Sequence, residues 1–146
     1  MAMNNLELLE KAIAIAVDAH RGQKDRYGAP YILHPLRVMA RVTTPIEKTV
    51  AVLHDVVEDT NWTLQDLKRE GFSAQIIEAL ECVSKRPQEP YEQFVKRSAG
   101  NSLARRIKLA DLEDNMDLRR LPTITAADRA RLQKYRRAWR VLSEGA

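Results

Sequence analysis

Apolar residues recur along this chain at helical spacing and are interrupted at short intervals by glycine, proline and small polar residues. Leu6, Leu9, Ile13, Ala16 and Val17 follow the three-and-four repeat of one helix face, which continues to Ala19 and His20. Gly22, Gly28, Pro30 and Pro35 then break the pattern. A proline fits as the first residue of a helix, where no N–H is needed, so Pro35 opens a second element carrying Leu36, Val38, Met39 and Val42. Pro45 stops that element and starts a third, with Val50, Val52, Leu53 and Val57 inward. Thr60 or Thr63 caps a short helix through Leu67 that Gly71 ends. Segments 73–84, 91–98, 101–119 and 125–143 complete about eight helices. The pattern predicts an all-α bundle forming one domain over residues 1–146.

Composition agrees with this. Aromatics are few, there are only five glycines, and good helix formers dominate. Cys82 is the sole cysteine, which excludes an internal disulfide framework or a cysteine zinc ribbon and suits a reducing compartment. Residues 1–9 lack a basic stretch followed by an apolar core, and no apolar run approaches the roughly 20 residues that cross a bilayer. The expectation is a cytoplasmic protein without a membrane partner. Cys82, Trp62, Trp139, Met39 and Met116 read as packing residues, and His20 as a structural residue holding the loop after it.

Charge adds a second layer. Lys and Arg number 24 against 20 Asp and Glu, and Arg129, Arg131, Lys134, Arg136, Arg137 and Arg140 crowd the last helix. A solvated helix face is the nearer reading of that run, and attraction for a polyanion is the sharper one. Nucleic acid is not expected, because no recognition motif accompanies the charge, whereas a small phosphorylated metabolite needs only local cations.

The chemistry concentrates in Leu53-His54-Asp55-Val56-Val57-Glu58-Asp59-Thr60. On a continuous helix His54 stacks with Glu58 and Asp55 with Asp59, in two columns about 100° apart. Such a face is costly without a cation, and a divalent metal offsets both the repulsion and the desolvation while using the imidazole. His34 stands just before Pro35, so rigid backbone aims its ring; alone it reads as an ordinary hydrogen-bonded histidine. Asp111 lies inside a predicted helix, where aspartate has poor propensity, with Asn115 one turn later; alone it reads as a solvent-exposed position.

Taken together, Ala19-His20-Arg21-Gly22-Gln23, Gly28-Ala29-Pro30-Tyr31-Ile32-Leu33-His34-Pro35, the His54–Thr60 run, and Lys108-Leu109-Ala110-Asp111 with Asn115 resemble the hydrolase domain of RelA/SpoT-type proteins in the His-Asp (HD) phosphohydrolase superfamily. The likeness runs from about His20 to Leu121 and implies a stand-alone small alarmone hydrolase. It implies His34, His54, Asp55 and Asp111 as ligands of a divalent metal, Mn²⁺ foremost, with Glu58 and Asp59 acting on the attacking water. Asn115 and Arg26 are the implied substrate contacts, Arg26 stacking on the base. Three positions depart from the pattern: Leu112 and Asp114 stand where the family more often has Arg and His, and Asp25 where it is frequently basic. These departures predict a shortage of cations around the substrate. The implied reaction is removal of the 3′-pyrophosphate from guanosine tetra- or pentaphosphate; the alternatives are another HD nucleotide phosphohydrolase, or a nucleotide-binding sensor without turnover. The sequence does not assign an oligomeric state.

Overall fold

The computed structural model describes residues 2–144, and helices account for its regular structure. In chain order these are α1 (Asn5–Ala19), α2 (Leu33–Ala40), α3 (Pro45–Leu53), α4 (Val56–Asp59), α5 (Leu64–Arg69), α6 (Ala74–Val83), α7 (Tyr91–Ala99), α8 (Ser102–Asn115) and α9 (Ala126–Glu144), with a 3₁₀ turn at Leu118–Arg120. Among the described residues the only β pairing is an isolated bridge between Lys24 and Pro30. The all-α expectation holds. No helix among them is long and apolar enough to cross a membrane.

Local chemistry explains most boundaries. Asn4 with Glu7, Thr44 with Glu47, and Thr63 with Asp66 form reciprocal capping boxes that satisfy backbone N–H groups at the starts of α1, α3 and α5. Thr63 rather than Thr60 is therefore the cap. Thr60 instead returns its hydroxyl to the Val56 carbonyl. Pro45 occupies the first turn of α3, as its missing N–H allows.

Three expectations need correction, and two of them lie at the site. α2 begins at Leu33, so His34 sits inside its first turn rather than ahead of it; proline is tolerated throughout a first turn because those N–H groups have no helical acceptor. The third predicted helix is broken at His54-Asp55 into α3 and the single turn α4, which gives nine α-helices among the described residues, in keeping with the expected number of about eight. Asp55, with φ −100° and ψ −4°, is the N-cap of α4, so His54 and Glu58 are not on one continuous helix, although the Asp59 N–H still donates to the Asp55 carbonyl. Finally, α8 ends at Asn115 rather than Arg119, and Asp117 caps the following 3₁₀ turn by accepting from the Arg119 N–H.

α3 is the hub. Val50, Ala51, Val52 and Leu53 are all fully buried, so the helix is enclosed on every side, by α1, α2, α6 and α8. A smaller apolar cluster of Val95, Leu112, Ala138 and Leu142 fastens α9 onto α7 and α8. Met39 packs against the main core and Met116 against the smaller one, as expected of gap fillers. Trp62 and Cys82 pack against the core only in part, and Trp139 is exposed. Leu80→Ala, at a fully buried site on α6, is expected to cost about 2–5 kcal/mol by urea denaturation, since the neighbouring helices cannot collapse into the space.

Candidate metal centre and cationic cavity

The break at His54-Asp55 is what allows the centre to form. At the end of α3 the His54 ring turns back, Nδ1–H donating to the Ala51 carbonyl, which leaves Nε2 facing inward. That nitrogen lies 3.1 Å from Asp55 Oδ2 and 3.3 Å from Asp111 Oδ1. His34, from α2, places its Nε2 2.9 Å from the same Asp111 oxygen and 3.5 Å from Asp55 Oδ2. One donor atom from each of His34, His54, Asp55 and Asp111 falls within 4.8 Å of the others, a grouping that could hold a metal ion. The four residues that the resemblance implied as ligands thus converge from α2, the α3–α4 junction and α8.

The donor set fits a divalent ion on its own chemistry. Each imidazole is oriented through its other nitrogen: His34 Nδ1–H donates to Asp114 Oδ2 at 2.6 Å, and His54 is fixed by Ala51. The carboxylates draw positive charge inward. Burial opposes a charged His34, but Asp111 and Asp114 outweigh it and hold the ring above the ordinary histidine range. For His54 burial is likewise overridden, here mainly by the Asp55 charge. Burial would lift Asp55 as well, yet the facing His54 brings it down to about 2, and Lys108 keeps Asp111 well below the usual carboxylate range in the same way. Two imidazoles and two ionised carboxylates form a mixed N/O set suited to Mn²⁺, Fe²⁺, Co²⁺ or Zn²⁺.

Supporting contacts come from residues for which no role was read in the sequence. Lys108, one turn before Asp111, donates from Nζ to Asp111 Oδ2 at 2.7 Å and lies 4.9 Å from the Phe94 ring centre. Tyr31 donates its hydroxyl to Asp55 Oδ2 at 2.6 Å, and its spacing of three from His34 on an apolar stretch was the available signal. Asp114, fully buried, accepts from His34, Arg37 and Arg120. His20 behaves as expected: its Nδ1 pairs with Gln23 Oε1, and Gln23 Nε2 donates to the Asp59 carbonyl.

Beside the four candidate ligands opens a cavity of about 490 Å³. Glu58 lines it, with Oε1 accepting from the Lys85 N–H. Glu58 is an exposed residue, yet desolvation of its carboxyl where it meets the Lys85 loop, reinforced by the Asp55 charge, pushes it up to about 7. Asp59, the other member of the acidic pair, does not line the cavity. Asn115 lines it and donates from Nδ2 to Asp111 Oδ1 at 3.1 Å. Arg26 stands at its exposed rim, on a loop made tight by the Lys24–Pro30 bridge and by Gly28, whose φ of +89° favours glycine.

The predicted cation shortage is overturned. Lys24, Arg26, Lys85, Arg120, Arg131 and Lys134 all line the cavity. Arg131 and Lys134 come from the basic run on α9, so these two belong to a cationic wall, while Arg129, Arg136, Arg137 and Arg140 remain a solvated face. Two of these cations are paired: Asp25, whose Oδ1 also accepts from the N–H groups of Tyr27 and Ala29, and Asp114 both meet Arg120, and Asp128 meets Arg131, so Lys24, Arg26, Lys85 and Lys134 carry the wall's uncompensated charge among the described residues.

No protein-family model matches the chain. It is 38% identical over 135 residues to a Haemophilus influenzae protein named guanosine-3′,5′-bis(diphosphate) 3′-pyrophosphohydrolase, covering 82% of this chain and 20% of that one. It is 40% identical over 86 residues to the bifunctional (p)ppGpp synthase/hydrolase SpoT of Escherichia coli, covering 56% of this chain and 12% of that protein. The chain therefore spans a fifth or less of the length of these curated relatives. Among solved structures, one described as a metazoan ortholog of SpoT that hydrolyses ppGpp superposes with a TM-score of 0.77 at 26% identity, over 97% of this chain and 88% of that one. The fold is that of the metazoan SpoT ortholog, over nearly all of both chains. In sequence the chain is similar to part of each of these SpoT-type proteins.

The loop carrying Lys85 is held by Arg97, whose guanidinium donates to both Glu89 oxygens, at 2.8 and 2.9 Å, and to the Ser84 carbonyl. The Arg97 hydrogen bonds hold the Glu89 carboxyl down at about 2, against an ordinary value of 4.5. A carboxylate lowered on folding stabilises the native state above its unfolded value and loses that contribution as pH falls toward its folded one. Glu89→Gln is expected to lower the urea midpoint at about pH 7 and to approach the parent protein at about pH 3; equal gaps at both would contradict the pairing.

Proposed function

We propose that this protein is a metal-dependent phosphohydrolase that removes the 3′-pyrophosphate from guanosine 3′,5′-bis(diphosphate) or the corresponding pentaphosphate, releasing pyrophosphate. The observation that carries this reading is one cavity with four metal-type donors on its floor and a cationic wall opposite, in a chain whose relatives bear that activity in their names. His34, His54, Asp55 and Asp111 are the ligands in this reading, and Mn²⁺ is the ion to test first. A divalent cation held there acidifies the attacking water and offsets charge developing on the phosphoryl oxygens.

The remaining chemistry belongs to the chain. Glu58, raised to about 7 and facing the cavity, is suited to accept a proton from water near neutral pH. Asp59, whose carboxyl lies by the Tyr31 hydroxyl and the Asp55 charge, is the second acidic residue of this reading and acts with Glu58 on the attacking water. Lys108 keeps Asp111 ionised and aimed, and the Tyr31 hydroxyl orients Asp55. Arg26, Lys85 and Lys134 meet the anionic groups of a nucleotide too highly charged to enter an uncompensated site, and Asn115 offers an amide beside Asp111.

Manganese-dependent release of pyrophosphate from guanosine tetraphosphate is the direct assay. Release of orthophosphate, or turnover only of other nucleotides, would keep the reaction class and overturn the substrate; tight nucleotide binding without product would favour a sensor. Asp55→Ala is expected to lose bound metal, by elemental analysis, together with activity, and undiminished turnover would refute the ligand set. Lys134→Ala is expected to raise KM about tenfold with little change in kcat, because its charge contacts substrate and transition state alike.

A further inference from the structure

Arg120 sits where three parts of the site meet. Its side chain is 18% exposed, and Nη1 donates to Asp114 Oδ2 at 3.1 Å and to Asn115 Oδ1 at 3.2 Å, while Nη2 reaches Asp25 Oδ2 at 3.5 Å. Each partner leads elsewhere. Asp114 receives the Nδ1–H of His34, and Asn115 donates to Asp111, so two candidate metal ligands are each one residue removed from Arg120. Asp25 gathers the N–H groups of Tyr27 and Ala29 and thereby shapes the loop that carries Lys24 and Arg26 to the cavity. The two acidic residues that depart from the family pattern, Asp25 and Asp114, both end on this one guanidinium.

We propose that Arg120 is a positioning residue that couples the substrate-facing loop 24–30 to the metal centre: ordering of the four ligands by a metal is conveyed through Asp114 and Asn115 to Arg120, and from Arg120 through Asp25 to the loop. The inference rests on reading the four donors as a metal site. A rigid planar fork can hold carboxylates on two sides at once, which a single ammonium cannot. Linkage makes the effect reciprocal, so a loop already ordered by an anionic ligand favours the metal-binding arrangement of His34 and Asp111.

Hydrogen–deuterium exchange of residues 24–30, with and without Mn²⁺, tests the coupling without any turnover. In the parent protein Mn²⁺ is expected to slow exchange of the Tyr27 and Ala29 amides by about fivefold or more. In Arg120→Met, with its helical content checked by circular dichroism, that metal-dependent slowing is expected to vanish and Mn²⁺ affinity, by chelator competition, to fall about tenfold. Asp25→Asn is the second variant: it is expected to abolish the slowing too, with a smaller loss of affinity, and adding it to Arg120→Met is expected to change nothing further. Slowing that persists in Arg120→Met, its absence from the parent protein, or additive losses in the double variant would each overturn the coupling. Failure of the substrate reading is separate, since it appears as no pyrophosphate release by a parent protein whose loop still responds to Mn²⁺.

Discussion

Four donor groups held within 4.8 Å of one another, three of their residues buried, impose the constraint to which the surrounding structure answers. Two ionised carboxylates at that depth repel each other and lose hydration, and the cost is met by surrounding them with opposite charge rather than by moving them apart. Lys108 pairs with Asp111, Tyr31 with Asp55, and Arg37 and Arg120 neutralise the Asp114 that orients His34. α3, enclosed on every side, provides the rigid stem on which His54 is mounted. A looser stem would let the donors separate and relieve their repulsion, and the centre with it.

The cavity carries both charges. Carboxylates from α8 and the α3–α4 junction lie with Lys108, and cations from the 24–30 loop, the Lys85 loop and α9 lie with Asp25 and Asp128. Lys134 stands 4.5 Å from the Tyr91 ring centre, and desolvation, with a lesser contribution from the surrounding cations, depresses its pKa. A cluster of like charges of this kind is unfavourable until an anion arrives, so the wall trades stability for attraction.

Much of this was legible in the sequence because it is local. Helical periodicity, capping residues and prolines specify the order of elements, and the four candidate ligand positions sit in motifs whose residue types have little other reason to occur together. The break at His54-Asp55 was not legible, because Val56 and Val57 continue the apolar repeat and the reason for the interruption lies 57 residues away, at Asp111. Asp114 and Asp25 were misread for a related reason: sequence position shows that a cation is missing there, but not that Arg120 arrives from the 3₁₀ turn to occupy the space. In the same way, two of the six basic residues on the last helix face the cavity, and only the packing of α9 on α7 and α8 distinguishes them from their solvated neighbours.

The mouth of the cavity is stitched across great distances along the chain. Tyr27 donates its hydroxyl to Asp128, 101 positions later, and the Asp25 pairing with Arg120 spans 95. His34 and Asp111 are 77 apart. During N-to-C synthesis the four donors are all present once Asp111 has emerged, whereas the side of the cavity lined by α9 waits for that helix to dock. The mouth of the cavity is therefore its last-formed part.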